Sequence, residues 1–107
     1  MDKALRYLAL AAKAGRLIVG AEDCAKALKR KGDRLLLTAS DASANTVRQT
    51  REMVEGRNIA LVRTQYTKQE IAHAIGRGNP VAVVMICDKD LAGAFAAAAA
   101  RIEEQED

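Results

Sequence analysis

Two acids followed by regularly spaced cations mark the stretch Gly20-Ala21-Glu22-Asp23-Cys24-Ala25-Lys26-Ala27-Leu28-Lys29-Arg30. Carboxylates at a helix start can accept hydrogen bonds from base amino groups, and cations one and two turns later can neutralise phosphates. That order suits nucleic acid. The chemistry needs a helix to hold it, and Ala21, Cys24, Ala25 and Leu28 supply one, recurring at i, i+3, i+4 and i+7 so that they stack into an apolar stripe. Glu22, Asp23, Lys26, Lys29 and Arg30 then take the remaining arc. A solvated helix face, with the two acids complementing the positive helix end, accounts for the same residues.

Other chemistries find less support. His73 is the only histidine, and a lone His in an amphipathic helix is more often a surface or packing residue than a base. No G-x-S-x-G elbow presents Ser40 or Ser43 as a nucleophile, and no G-x-x-x-x-G-K-[ST] loop cradles nucleotide phosphates. Asp88 and Asp90 follow an apolar run, where helix capping explains them better than magnesium. Cys24 and Cys87 form no CxxC pair and have no neighbouring His, so they read as small buried hydrophobes in a reducing compartment and not as zinc ligands. The expectation is a chain without catalysis, metal, cofactor or small-molecule substrate. With only Tyr7, Tyr66 and Phe95, the chain also lacks the aromatic platform that stacks single-stranded bases.

The 107 residues fit one domain with a modest core, and half of them are hydrophobic. The net charge of +3 is unevenly spread: four of the 14 acids lie in 103–107, leaving 17 bases against 10 acids in the rest. A basic body favours a polyanionic partner, although solvated faces rich in Lys and Arg give the same count. The start Met1-Asp2-Lys3-Ala4-Leu5-Arg6 is too charged for a signal peptide and no apolar run reaches membrane-spanning length, so the expected location is cytoplasmic, with no membrane partner.

Helical and strand patterns alternate along the chain, which predicts an α/β domain. Leu5, Leu8 and Ala12 face inward on a first helix that Gly15 ends, and Leu17-Ile18-Val19 forms a short strand. A helix from Gly20 to Lys31 stops at Gly32, before the buried strand 35–39. Ser43 caps a helix running to Glu55 in which Val47, Thr50 and Val54 share a face, and residues 59–62 form the next strand. Thr67 caps a short helix with Ile71, Ala74 and Ile75 inward and Gly76 as terminator. The apolar run 81–87 predicts a central strand covered on both faces. Asp88 or Asp90 then starts a last helix whose Leu91, Ala94, Phe95, Ala98 and Ile102 recur at helical spacing, with a frayed acidic end at 103–107. The sum is a three-layer α/β/α sandwich with a central mixed four-stranded sheet, in one domain over 1–107.

The order of these elements and three motifs resemble the ribosomal L-seven-Ae and L-thirty-e family of kink-turn RNA-binding proteins, over almost the whole chain and most closely its small bacterial YlxQ-like members. The motifs are Val19-Gly20-Ala21-Glu22-Asp23, the turn Asp41-Ala42-Ser43-Ala44-Asn45-Thr46, and the helix and loop from Ile71 to Pro80. The resemblance implies that the family's Asn-Glu-x-x-Lys signature falls on Glu22, Asp23 and Lys26, with Gly20 ahead of it and a basic position at Arg30. There the amide and acid read guanines of tandem sheared G·A pairs. Glu22 departs from this pattern, since a carboxylate accepts from a guanine amino group but cannot donate to O6 or N7. Further positions implied to face RNA are Ser43, Val47 and Lys68, together with the loop Arg77-Gly78-Asn79, which packs on a flipped-out nucleotide.

The resulting expectation is a non-catalytic, monomeric binder of structured RNA of the kink-turn or a related kind, ribosomal RNA included, working in a ribonucleoprotein and in translation. The alternative is a protein-interaction module that docks its basic face on an acidic partner. A substrate-recognition module like that of some ribose methyltransferases resembles the same fold, but the catalytic part is absent from this chain.

Overall fold

A computed structural model describes residues 2–30, 32 and 34–106, with side chains up to 99. Five helices and four strands alternate: α1 (Lys3–Lys13), β1 (Leu17–Val19), α2 (Ala21–Ala27), β2 (Leu35–Thr38), α3 (Ala44–Val54), β3 (Ala60–Arg63), α4 (Lys68–Ala74), β4 (Val83–Ile86) and α5 (Lys89–Glu106). The sheet order is β1-β4-β2-β3. β4 runs antiparallel to both β1 and β2, and β2 runs parallel to β3, so the sheet is mixed as expected.

The register explains the three layers. Leu36 stands opposite both Met85 and Leu61, and Ile18 stands opposite Met85, so these residues share one face of the sheet. On that face Leu36, Val83 and Met85 pack with Cys24, Ala27 and Leu28 of the α2 segment and with Met53 and Val54 of α3. On the other face Leu35, Leu37, Val84 and Ile86 pack with Leu5 and Leu8 of α1, Ile71 of α4 and Phe95 of α5. β4 is fully buried and central, as its unbroken apolar run demands.

Caps set most helix starts. The Asp2 carboxylate accepts from Leu5 N–H and also from the Tyr66 hydroxyl, at 3.0 and 2.7 Å, which ties the start of α1 to the connection between β3 and α4. Ser43 Oγ accepts from Thr46 N–H, Thr67 forms a capping box with Glu70, and Asp88 accepts from Leu91 N–H. The last of these decides between the two candidate aspartates in favour of Asp88.

Three details differ from the sequence reading. α2 ends at Ala27, well short of Lys31, because its carbonyl is taken by Arg30 N–H, three residues on, and by the Arg34 guanidinium. Ala27 instead of Ala25 lies inward on this helix, and Ala11 instead of Ala12 on α1. In each case neighbouring alanines leave the phase of the helix undecided by composition. The pairing segments 59–62 and 81–87 shift or shorten to β3 and β4, in part because Val81 N–H donates to Lys68 C=O and leaves the ladder. The expected inward Ile102, the acids at 103–107 and Lys31 lie outside the described side chains.

Cys24 is wholly buried against Ile18 C=O, and burial, then the nearby Cys87 and Asp23, push its thiol up to about 12. Burial also pushes the Cys87 thiol up. A thiol whose folded pKa is raised contributes stability that is full below its unfolded pKa of about 8.5 and is lost as pH rises through the folded value. Denaturation midpoints are expected to fall between pH 8.5 and 10, and to fall less steeply in Cys24→Ala. An equal pH slope in wild type and variant contradicts the assignment.

Candidate nucleic-acid interface

The β1–α2 junction is built on one glycine. Gly20 sits at φ +97° and ψ 143°, a conformation that costs a side-chain-bearing residue about 1–3 kcal/mol. Its N–H continues the β1–β4 pairing to Val83 C=O at 2.8 Å, while its C=O accepts the first helical bond from Cys24 N–H at 3.0 Å. The chain thus turns from strand to helix within one residue and delivers Glu22 and Asp23 to the surface.

The loop after α4 is fixed in a comparable way. Gly76 adopts φ +76°, its N–H bonds His73 C=O, and Arg77 N–H bonds Ala72 C=O at 2.8 Å. This pair of bonds is the Schellman arrangement, which sets the path on which Arg77, Gly78 and Asn79 leave the helix. The chain is then pinned again where Val81 N–H meets Lys68 C=O. Lys68 N–H in turn donates to the Asp41 carboxylate at 2.8 Å, so the first peptide of α4 clasps the β2–α3 turn on one side and the α4–β4 loop on the other.

An open cleft of about 550 Å³ lies where these segments meet, lined by Val19 and Gly20, Thr46 of α3, and Arg77, Gly78, Asn79 and Pro80. Among the expected site residues, Gly20, Arg77, Gly78 and Asn79 converge here. Glu22, Asp23 and Lys26 do not line the cleft, but follow its Gly20 wall along the exposed arc of α2. Glu22 and Lys26 form an ion pair at 3.7 Å with side chains 87% and 72% exposed, a geometry that contributes only a few tenths of a kcal/mol and leaves both groups available.

The remaining expected residues lie elsewhere. Ser43 spends its hydroxyl on Thr46, accepting from the N–H and donating to Oγ1, and Val47 is half-buried on α3. Lys68 contributes backbone to the clasp. Arg30 lies beyond the end of α2 and lines a different cleft at the opposite end of the sheet, with Arg34, Arg57 and Lys89. Thr46, by contrast, was not singled out by sequence reasoning beyond its place in the turn motif. Its position one turn after the Ser43 cap was the signal that could have placed it at the cleft.

No group of three or more potential metal ligands gathers among the described residues, and no helix among them is long and apolar enough to cross a membrane. The fold recurs among solved structures, of which two are instructive. A protein of unknown function from Bacillus halodurans superposes with a TM-score of 0.85 at 26% identity, over 94% of this chain and 99% of that one. A 15.5 kD RNA-binding protein of Giardia lamblia gives a TM-score of 0.75 at 21% identity, over 95% of this chain and 86% of that one, a likeness of fold. No curated protein matches the sequence. The model of the ribosomal protein L7Ae/L30e/S12e/Gadd45 family matches residues 2–95, which, with the three-layer architecture, makes this chain a member of that family.

Proposed function

We propose that this chain is a non-catalytic binder of structured RNA, specific for a kink-turn or closely related internal loop and working within the ribosome or another ribonucleoprotein. One observation carries the reading: Gly20, Thr46 and the 77–79 loop, from three separate segments, meet in a single cleft beside the charged arc of α2. An extruded nucleotide fits such a cleft, with Arg77 able to stack on it or hold its phosphate and the glycines permitting close backbone approach. Asp23 and Lys26 then face the major-groove edge and backbone of the adjoining pairs. The RNA-binding neighbour with the same fold supports the ligand class.

The test is a gel-shift titration of kink-turn RNA against a plain duplex of equal length, each in excess unstructured RNA. Shape recognition retains a preference for the kinked RNA, whereas loss of binding to the competitor favours docking on an acidic protein instead. Glu22 makes a sharper prediction within the same assay. Glu22→Asn supplies the missing donor and removes a charge that repels phosphate, so it should tighten binding to tandem G·A pairs about tenfold. Weaker binding in that variant identifies the carboxylate as itself a reader.

A further inference from the structure

Four cations from three segments, the α2–β2 connection, the α3–β3 connection and the start of α5, converge on the cleft at the other end of the sheet. Arg30 follows α2, Arg34 precedes β2, Arg57 follows α3 and Lys89 opens α5, around an open volume of about 770 Å³. Gly32, Asn58 and Gly93 complete its rim, and no acid lines it among the described residues. None of the four cations is in an ion pair among the described residues, where the Glu22–Lys26 contact stands alone. Of the two acids flanking Lys89, Asp88 accepts from Leu91 N–H as the helix cap, and neither Asp88 nor Asp90 forms an ion pair with Lys89 among the described residues.

Arg34 is the most constrained of the four. One guanidinium nitrogen donates to the Ala27 carbonyl, while the second, Nη2, is shielded from solvent and has no hydrogen-bond partner. A buried donor without an acceptor costs about 1–3 kcal/mol, so Arg34 holds its charge in the cleft wall without a compensating acceptor among the described residues. The positive potential reaches beyond the rim: burial raises the Cys87 thiol, and Arg34, Arg30 and Arg16 act on it in the opposite sense.

We infer that this cleft seats a phosphodiester of an RNA stem, so that the RNA runs along the exposed arc of α2 from the Gly20 cleft to the far end of the molecule. α2 joins the two sites: its N-terminal Gly20 lines the first and Arg30, three residues past its end, lines the second. Guanidiniums from separate elements suit the tetrahedral oxygens of a phosphate, and small rim residues admit a bulky backbone. The footprint therefore exceeds the internal loop and requires a stem long enough to reach across a body 29–33 Å wide.

The inference rests on RNA as the ligand but not on the kink, so the probe is an RNA duplex without any internal loop. Titrated into isotopically labelled protein, it is expected to shift the amide resonances of Gly32, Asn58 and Gly93. Arg57→Gln combined with Lys89→Gln, both exposed positions, should bind the duplex about tenfold more weakly and lower the salt slope by about 1.5, with an unchanged thermal melt. Shifts confined to 20–26 and 77–80, a double variant with wild-type affinity and slope, or no duplex binding by the wild-type chain overturns the inference. Failure of the kink-turn reading shows separately, as equal affinity for the kinked RNA and the duplex.

Discussion

Replacing Lys26 and Arg30 together by Ala is expected to weaken RNA binding about tenfold to thirtyfold at physiological salt and to reduce the salt slope by roughly two phosphate contacts. Both side chains are exposed, so the protein should melt unchanged. The two positions also lie far enough apart for the single variants to report on different parts of the ligand. Lys26 sits on α2 six residues after Gly20, and Arg30 lies past the helix end among the cations of the second cleft. A kinked RNA trimmed to short stems should lose affinity with Lys26→Ala and barely respond to Arg30→Ala, whereas extended stems should restore sensitivity to Arg30. Filter binding of the four proteins to the two RNAs measures this, and unchanged binding of the double variant to both RNAs refutes the site.

The largest effect on stability is expected at Phe95. Its ring is completely buried where α5 covers the Leu35, Leu37, Val84 and Ile86 face of the sheet. Phe95→Ala removes the ring and leaves a cavity lined by side chains that already pack against the sheet, at a cost of about 3–5 kcal/mol. Against the 5–15 kcal/mol that holds a typical domain, that is a large share, so the urea midpoint should drop sharply with little change in the slope. A loss below about 1 kcal/mol means that α5 is not seated on the sheet as described. The same variant, studied below its lowered melting temperature, should keep its RNA affinity, because Phe95 lines neither cleft.

The layers were legible because their signals are local. The 81–87 run, the caps at Ser43 and Thr67 and the stop at Gly76 each depend on neighbouring residues alone. The end of α2 was not, since its last carbonyl, Ala27, is shared between Arg30 N–H and the guanidinium of Arg34, seven residues along the chain. Spacing alone put Arg30 in line with Lys26, whereas its N–H turns back to the Ala27 carbonyl and leaves it past the helix end. The inward phase of α1 and α2 was lost for another reason: Ala11 and Ala12, or Ala25 and Ala27, carry the same side chain, and only packing against the sheet distinguishes them. Gly20 and the 77–79 loop stand out in the sequence, but their meeting point with Thr46 depends on pairings between strands remote in sequence.

The clasp at the first peptide of α4 bears on how the energy of association is divided. The Asp41 carboxylate and the backbone groups of Lys68 and Val81 already hold the walls of the Gly20 cleft, so the protein gives up little conformational freedom when a ligand arrives. The ordering cost then falls on the RNA. For the kinked ligand proposed above, apparent affinity should scale with the fraction of RNA molecules that are bent before they meet the protein, and solution conditions that favour the bent state should tighten binding without altering any contact.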